Sequence, residues 1–489
     1  MVEKPGRVSE FVAGAASGPP RAGWLGYALA ALGFALTLAA FYPGYMSPDS
    51  MANWLGGRLW VFKDVNGPVM TAVWGLVDRV VPGPAVMLVL QNLVFWAAAA
   101  VYWRATWRQS LALGVCLVSL AFMPQIWSQM STIWKDTGQA ACLFLASALV
   151  YHAGRTRSKV SFFASLPFFL YGYAVRLNSV AAVLPLALWA GYAACEVFAC
   201  LRARASGRRA LAPAAGALIF LLLSAGTFVT NRLLTKGLTV YPFHQVYLYD
   251  LAAISKARGE SLFPAYVSEN RNFSMERVAA RYNIYSVNDL IWDDSPNPGD
   301  KAVLEFMYEP VEPKGEVDAR MSELRSKWLR AVWENKGVYL RHRWRIFAQL
   351  IGFTTKGVSN PYWVAGFDAN PPEFRKTPGG LNRLLMEYYR LFSRSLFRGA
   401  LWMLACLCLV YLSLRRGLRG DWLVVLAHAA SSLLYAASYF FTAPSTEFRY
   451  LLWTMIASAV ALSFAVHLKL LSRRAARAAA AAGAGGTVR

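Results

Sequence analysis

Apolar residues gather in long runs separated by short polar breaks, and the runs fall into two blocks. About 20 apolar residues cross a bilayer as helix. On that measure the spans read at about 24–42, 85–103, 110–123, 137–153, 160–175, 179–200, 212–232, 396–414, 421–441 and 451–470. Between the blocks, residues 233–395 are too rich in Pro, Asn and Asp to span, and long enough for a small helical domain. The pattern predicts an all-α polytopic membrane protein of about ten transmembrane helices. Its parts are an N-terminal transmembrane module (1–232), an external segment (233–395), C-terminal transmembrane helices (396–471) and an Ala/Gly-rich, disordered cytoplasmic tail (472–489). No internal repeat is visible.

The first break holds two further helices too short to span. Ser47-Pro48-Asp49 makes a helix start, with Ser47 as N-cap, Pro48 at N1 and Asp49 complementing the dipole. Met51, Trp54, Leu55, Leu59 and Phe62 then share a face, so Pro48 to Val61 reads as a helix lying in the membrane interface. Asn66-Gly67-Pro68 starts a second, from Pro68 to Val81.

Composition agrees with a membrane protein: 56% of the 489 residues are hydrophobic and 16% charged, against about a quarter charged in soluble domains. The net charge of +23 raises the question of nucleic acid, but the cations cluster beside apolar runs as topology signals do, which argues against it. Lys4, Arg7 and Arg21 precede the first span, and Arg104 and Arg108 follow the second. Arg155, Arg157 and Lys159 follow the fourth, and Arg202, Arg204, Arg208 and Arg209 the sixth. Arg415, Arg416 and Arg419 follow the eighth, and Lys469, Arg473, Arg474 and Arg477 the last. Alternating spans put every cluster on one side, the cytoplasm, with both termini there. The first run reads as a retained span, not a cleaved signal. Cys116, Cys142, Cys195, Cys200, Cys406 and Cys408 lie in apolar runs without paired spacing and read as small buried residues.

Most carboxylates outside the long segment then fall on the external face: Asp49, Asp64 and Asp78 in the first loop, Asp136 in the second and Glu447 in the last. Lys135, Arg176 and Arg449 stand beside them, where positive-inside topology disfavours cations. Each has an ordinary reading. Asp49 and Asp136 suit helix starts, Arg176 and Arg449 can snorkel to headgroups, and Asp64 and Asp250 suit turns or caps. Asp78-Arg79 reads as a solvated face. Arg383, Arg390, Arg394 and Arg398 line one face of an amphipathic helix, and Arg341, Arg343 and Arg345 precede an apolar stretch. Both groups read mostly as headgroup contacts.

In order and sidedness, these motifs resemble the GT-C superfamily of integral-membrane glycosyltransferases. The residues are Tyr42-Pro43-Gly44 through Asp49-Ser50, Phe62-Lys63-Asp64 with Pro68, Trp134-Lys135-Asp136, Arg176-Leu177-Asn178, Asp250 to Ser255, and Arg449-Tyr450. The resemblance implies a bacterial inner-membrane enzyme that moves a sugar from a polyprenyl-phosphate donor to a glycan, lipid or protein acceptor at the external, periplasmic face. Asp49 and Asp136 are then the catalytic candidates, and Arg449, Arg176, Asp64, Tyr450 and Lys135 the substrate-binding ones. The chain departs at Ser50, where many relatives carry Glu, and at Asn66, where some carry His. No cofactor is indicated, and a divalent cation is left open.

Such a transfer deprotonates an acceptor hydroxyl and releases a phosphate from the anomeric carbon. A carboxylate base contributes about 10²–10⁴-fold, and cations aimed at the phosphate supply the electrostatic share. A single displacement inverts the centre. The rival readings are a ligase or polymerase of lipid-linked glycans, a transporter or flippase, and an inactive scaffold. Transport is poorly served, because the spans offer only Glu196, His428 and the uncharged Gln91-Asn92.

Overall fold

The computed structural model describes residues 23–64, 67–199, 208–236, 241–292, 302–308, 314–355 and 357–484. Every apolar run of the sequence has become a helix. These are α1 (Leu25–Phe41), the surface helices α2 (Pro48–Leu59) and α3 (Pro68–Asp78), α4 (Ala85–Thr106), α5 (Leu111–Ser119), α6 (Lys135–Thr156), α7 (Lys159–Ala174), α8 (Ser179–Val197) and α9 (Arg208–Thr235). The long segment supplies α10 (His244–Arg258), α11 (Lys314–Glu334), α12 (Lys336–Leu350) and α13 (Gly380–Phe392), with short helical turns between α10 and α11. The chain then returns through α14 (Gly399–Arg416), α15 (Asp421–Thr442) and α16 (Leu452–Ala484). Among the described residues the strand-like pairings are three isolated bridges.

Six helices are long and apolar enough to cross a membrane, and seven if the bent pair Leu111–Phe122 and Pro124–Ser131 is one span. The first piece matches the predicted third run (110–123), and the chain then turns by 49° at Met123 into a second, unpredicted piece. Pro124, at the N1 position of the second piece, has no N–H to continue a ladder. Part of the shortfall from ten is length, since α1 has 17 residues and α7 has 16, and part lies in α6, whose first turns carry Lys135 and Asp136. It packs against α4, α7, α8 and α16, and nearly all of its residues from Asp136 to Ala153 are buried. A helix shielded by protein need not be apolar all round. By contrast, α9 and α14 expose Leu218, Leu221, Leu222, Leu401, Leu404 and Leu407, as lipid-facing helices do.

The surface helices end earlier than their pattern predicts, at Leu59 and Asp78. They lie in backbone contact because Gly57 faces Gly75, where a Cβ on Gly57 would stand 2.8 Å from the Gly75 amide nitrogen. Asp78 is not a solvated acid. It is buried, accepting from Trp54 Nε1 (2.6 Å), the Gly83 amide (2.6 Å) and Arg58 Nε (2.7 Å), and so fastens α2 to the end of α3.

The long segment shares one apolar core with the spans. Here α10 packs on α11 and α12, and α12 reaches the end of α15. The Ala-rich stretch after Arg477 continues α16 to Ala484, since alanine is the strongest helix former. Residues 485–489 of that tail lie outside the described residues, as do Cys200 and the topology cations Lys4, Arg7, Arg21, Arg202 and Arg204. Cys142, Cys195 and Cys406 are buried as expected, whereas Cys116 and Cys408 sit on exposed helix faces.

Candidate functional site

Two loops at the same end of the bundle are sewn together. The Tyr45 amide donates to Ser131 O, and the Ile133 amide donates back to Tyr45 O, each at 3.0 Å. Gln91 and Asn92 on α4 hold the second loop from below: Gln91 Nε2 donates to Thr132 O (3.0 Å) and Asn92 Nδ2 to Met130 O (2.9 Å). These uncharged polar residues are scaffolding for a loop. Ser47 caps α2 through the Ser50 amide, and Ser50 Oγ accepts from the Ser47 amide (3.0 Å), closing a capping box. Ser50 Oγ also donates to Ile133 O (2.6 Å), and Trp134 Nε1 donates to Ser47 Oγ (2.8 Å). Ser50 is thus a fully buried pin between the loops. Asp49 is left beside Lys135 and Asp136.

There the charges interlock. Arg449 Nη1 donates to Asp49 Oδ2 (2.7 Å), and its Nε pairs with Glu447. Arg176, in the tight turn between α7 and α8, pairs with Asp136 Oδ1, and Asp136 Oδ2 lies 4.0 Å from Arg449 Nη1. Aromatic rings lie against both guanidinium groups. Arg449 stands 4.8 Å from the Trp134 ring centre, and Arg176 stands 4.8 Å from that of Tyr450, which stacks on Tyr439. Three carboxylates (Asp49, Asp136, Glu447) therefore face three cations (Lys135, Arg176, Arg449), and the formal charges cancel.

Burial works to raise the pKa of the Asp49 carboxyl. The charges of Arg449, Lys135 and Arg176 and the Arg449 hydrogen bond outweigh it, and hold the group well below the usual carboxylate range. Its side chain still keeps 40% of its surface, where Asp136 keeps 1%. The open part faces a cavity of about 330 Å³, lined by Ser47, Asp49, Trp134, Glu447 and Arg449, with Asn288, Asn360, Tyr362 and Trp363 around it. The last three belong to a loop fastened over the site by Gln129 Nε2 to Pro361 O (2.7 Å) and by Asn370, which bonds Met46 N and Gly44 O.

Of the catalytic and substrate-binding candidates named from the sequence, Asp49 and Arg449 line this cavity. Asp136, Arg176, Lys135 and Tyr450 form the layer around them. Asp64 is not brought there. It lines a separate cavity of about 410 Å³ with Tyr241, Phe243, Tyr247, Asp318 and Arg325. Asp250 is neither turn nor cap: it lies inside α10, fully buried, 2.7 Å from Arg343 Nε, and Arg343 is itself fully buried and not a headgroup contact. Helix α13 stops at Phe392, so Arg394 and Arg398 fall beyond it, while Arg383 and Arg390 are exposed. The sequence marked Glu447 only as an external acid and Trp134 only as part of a motif, neither as a site residue, and it did not single out Asn288, Asn360 or Trp363. Glu447, two positions from Arg449, was the detectable one.

Among the described residues no group of three or more His, Cys, Asp or Glu is placed to hold a metal ion. No protein-family model, no curated protein and no solved structure matches the chain.

Proposed function

We propose that this chain is a membrane-embedded glycosyltransferase of GT-C type, taking a sugar from a polyprenyl-phosphate donor at the external face by one inverting displacement. The observation that carries this reading is the contact of Asp49 with Arg449 on the wall of a cavity: a reachable carboxylate beside a buried guanidinium. A neutral cluster of three acids and three cations has no charge to spare. An incoming phosphodiester competes with Asp49 and Glu447 for Arg449, whose fork matches phosphate oxygens.

That competition links binding to chemistry. While Arg449 holds Asp49, the carboxylate is a poor base. When phosphate takes the guanidinium, Asp49 loses its strongest charge partner, its proton affinity rises, and it accepts the acceptor hydroxyl's proton as the phosphate leaves. Asp136 acts one step back: with 1% of its side chain exposed, it fixes Arg176 and does not reach substrate. The reading places the ten helices as spans, both termini in the cytoplasm of a bacterial cell, and the cavity on the periplasmic side of the inner membrane.

The test is to reconstitute the chain in proteoliposomes with decaprenyl-phosphate-linked hexoses and pentoses, and cell-envelope glycolipids as acceptors. Free decaprenyl phosphate should be released, with inverted stereochemistry in the product. A wild-type protein that binds none of these lipid phosphates defeats the reading.

A further inference from the structure

A second charge cluster lies in the long segment, and its position is instructive. Arg343 on α12 is 0% exposed. Asp250 Oδ1 stands 2.7 Å from its Nε and 3.2 Å from His342 Nε2, while Asp250 Oδ2 accepts from Trp328 Nε1 (2.8 Å). The His342 ring is in turn bonded to the Tyr282 hydroxyl (2.7 Å). Burial works to raise the Asp250 pKa, but the Arg343 charge and the His342 contact outweigh it, so the carboxylate stays ionised.

Burying such a pair is costly, and well-packed apolar residues often stabilise a core as well. What apolar residues cannot do is bind a carbonyl. Arg343 Nη1 donates to Ala443 O at 2.9 Å, and Ala443 is the C-cap of α15, where cations are favoured. The chain then runs straight through Pro444, Ser445, Thr446 and Glu447 to Arg449. Backbone bonds from the same segment grip this turn: Val287 N to Pro444 O (2.9 Å), Thr446 N to Tyr285 O (2.8 Å) and Phe448 N to Ser359 O (3.3 Å).

We propose that Arg343 is a positioning residue: from the interior of the long segment it anchors the 443–449 turn, and thereby holds Arg449 and Glu447 against Asp49. The long segment is on this account part of the site's frame and not a separate cap. Only the lipid-phosphate arm of the test below rests on the proposed function.

The experiment uses the full chain in nanodiscs, with its native cysteines replaced and a reporter pair, Ser286→Cys with Ser445→Cys, introduced. Ser286 and Ser445 pair across an antiparallel bridge, a spacing that a disulfide fits. Arg343→Met should slow oxidation of this pair about tenfold or more, as loss of a charged hydrogen bond implies, in protein that remains folded. Arg343→Lys keeps the charge but not the fork, and should fall between. It also serves if the Met variant does not fold. Decaprenyl-phosphate affinity should weaken in parallel, and Arg343→Met should add nothing once Arg449 is Ala, because coupled residues are not additive. Unchanged disulfide formation in folded Arg343→Met and Arg343→Lys overturns the proposal, whatever the affinity does. Slowed formation with no effect of Arg449→Ala on affinity keeps Arg343 as a positioning residue and defeats the phosphate reading instead.

Discussion

Arg449 Nη1 lies 2.7 Å from Asp49 Oδ2 although 400 positions separate them in the chain. One residue opens the last apolar helix and the other follows the first, so closing this contact brings both ends of the bundle to one point. The same guanidinium is bound by Glu447 and overlies Trp134. Its geometry is therefore fixed from several sides before any ligand arrives, as preorganised electrostatic stabilisation requires.

Asp49 can be separated from its structural role. The cap of α2 is made by Ser47 and Ser50, not by Asp49, whose contribution to the helix is a dipole interaction of about 0.3–1 kcal/mol. Asp49→Asn should leave expression and thermal stability near normal while transfer falls about 10²–10⁴-fold, the usual worth of a general base. Sugar transfer per mole of folded protein is the measurement. Near-normal turnover would leave Asp49 a partner of Arg449 and nothing more.

Donor recognition should follow Arg449 and not the basic surface helix. An arginine offers phosphate two parallel bonds that lysine cannot reproduce. Arg449→Lys should weaken donor use, raising the donor concentration needed for half-maximal rate, and Arg449→Ala should raise it further, with acceptor saturating. Arg383 is exposed on α13 beside Leu384, so Arg383→Ala should change donor use little. The opposite ranking would move the phosphate grip to α13.

What the sequence disclosed followed from one constraint. Acids and cations at loop positions of alternating spans must share a side, and this made Asp49, Asp136, Arg176 and Arg449 legible together. What it concealed has two causes. Tertiary pairing leaves no periodic mark, so Asp250 and Arg343 resembled a cap and a headgroup contact although both are fully buried. Loop closure leaves none either, so nothing in the Asn360 to Ala365 stretch announced that it folds over the site. The end of the third run was visible in Pro124, at the residue where the chain bends, but the helical piece that follows it was not.

Sidedness is testable on described residues. Ser326 on α11 and Ser472 near the end of α16 are both exposed, and the cation clusters place them across the bilayer from one another. With the native cysteines replaced, an impermeant thiol reagent added to intact cells should label Ser326→Cys and not Ser472→Cys. Labelling of the latter alone would invert the topology and put the cavity in the cytoplasm.

The pH profile should report the hold of Arg449 on Asp49. Burial works to raise the pKa of Asp49, and the charge of Arg449 opposes it more strongly than any other neighbour does. Arg449→Gln removes that charge and its hydrogen bond but leaves burial in place, so the pKa of Asp49 rises. A general base works only when deprotonated, and its activity is lost as pH falls through its pKa. The acid limb of kcat/KM for residual transfer should therefore move to higher pH in Arg449→Gln than in the wild type. Lys135→Gln, which removes a weaker opposing charge, should move it in the same direction by less. Asp49→Asn should abolish the limb together with the activity. An acid limb that stays in place in Arg449→Gln would show that the group titrating in turnover is not Asp49, and Glu447, on the same cavity wall, would be the next carboxylate to replace.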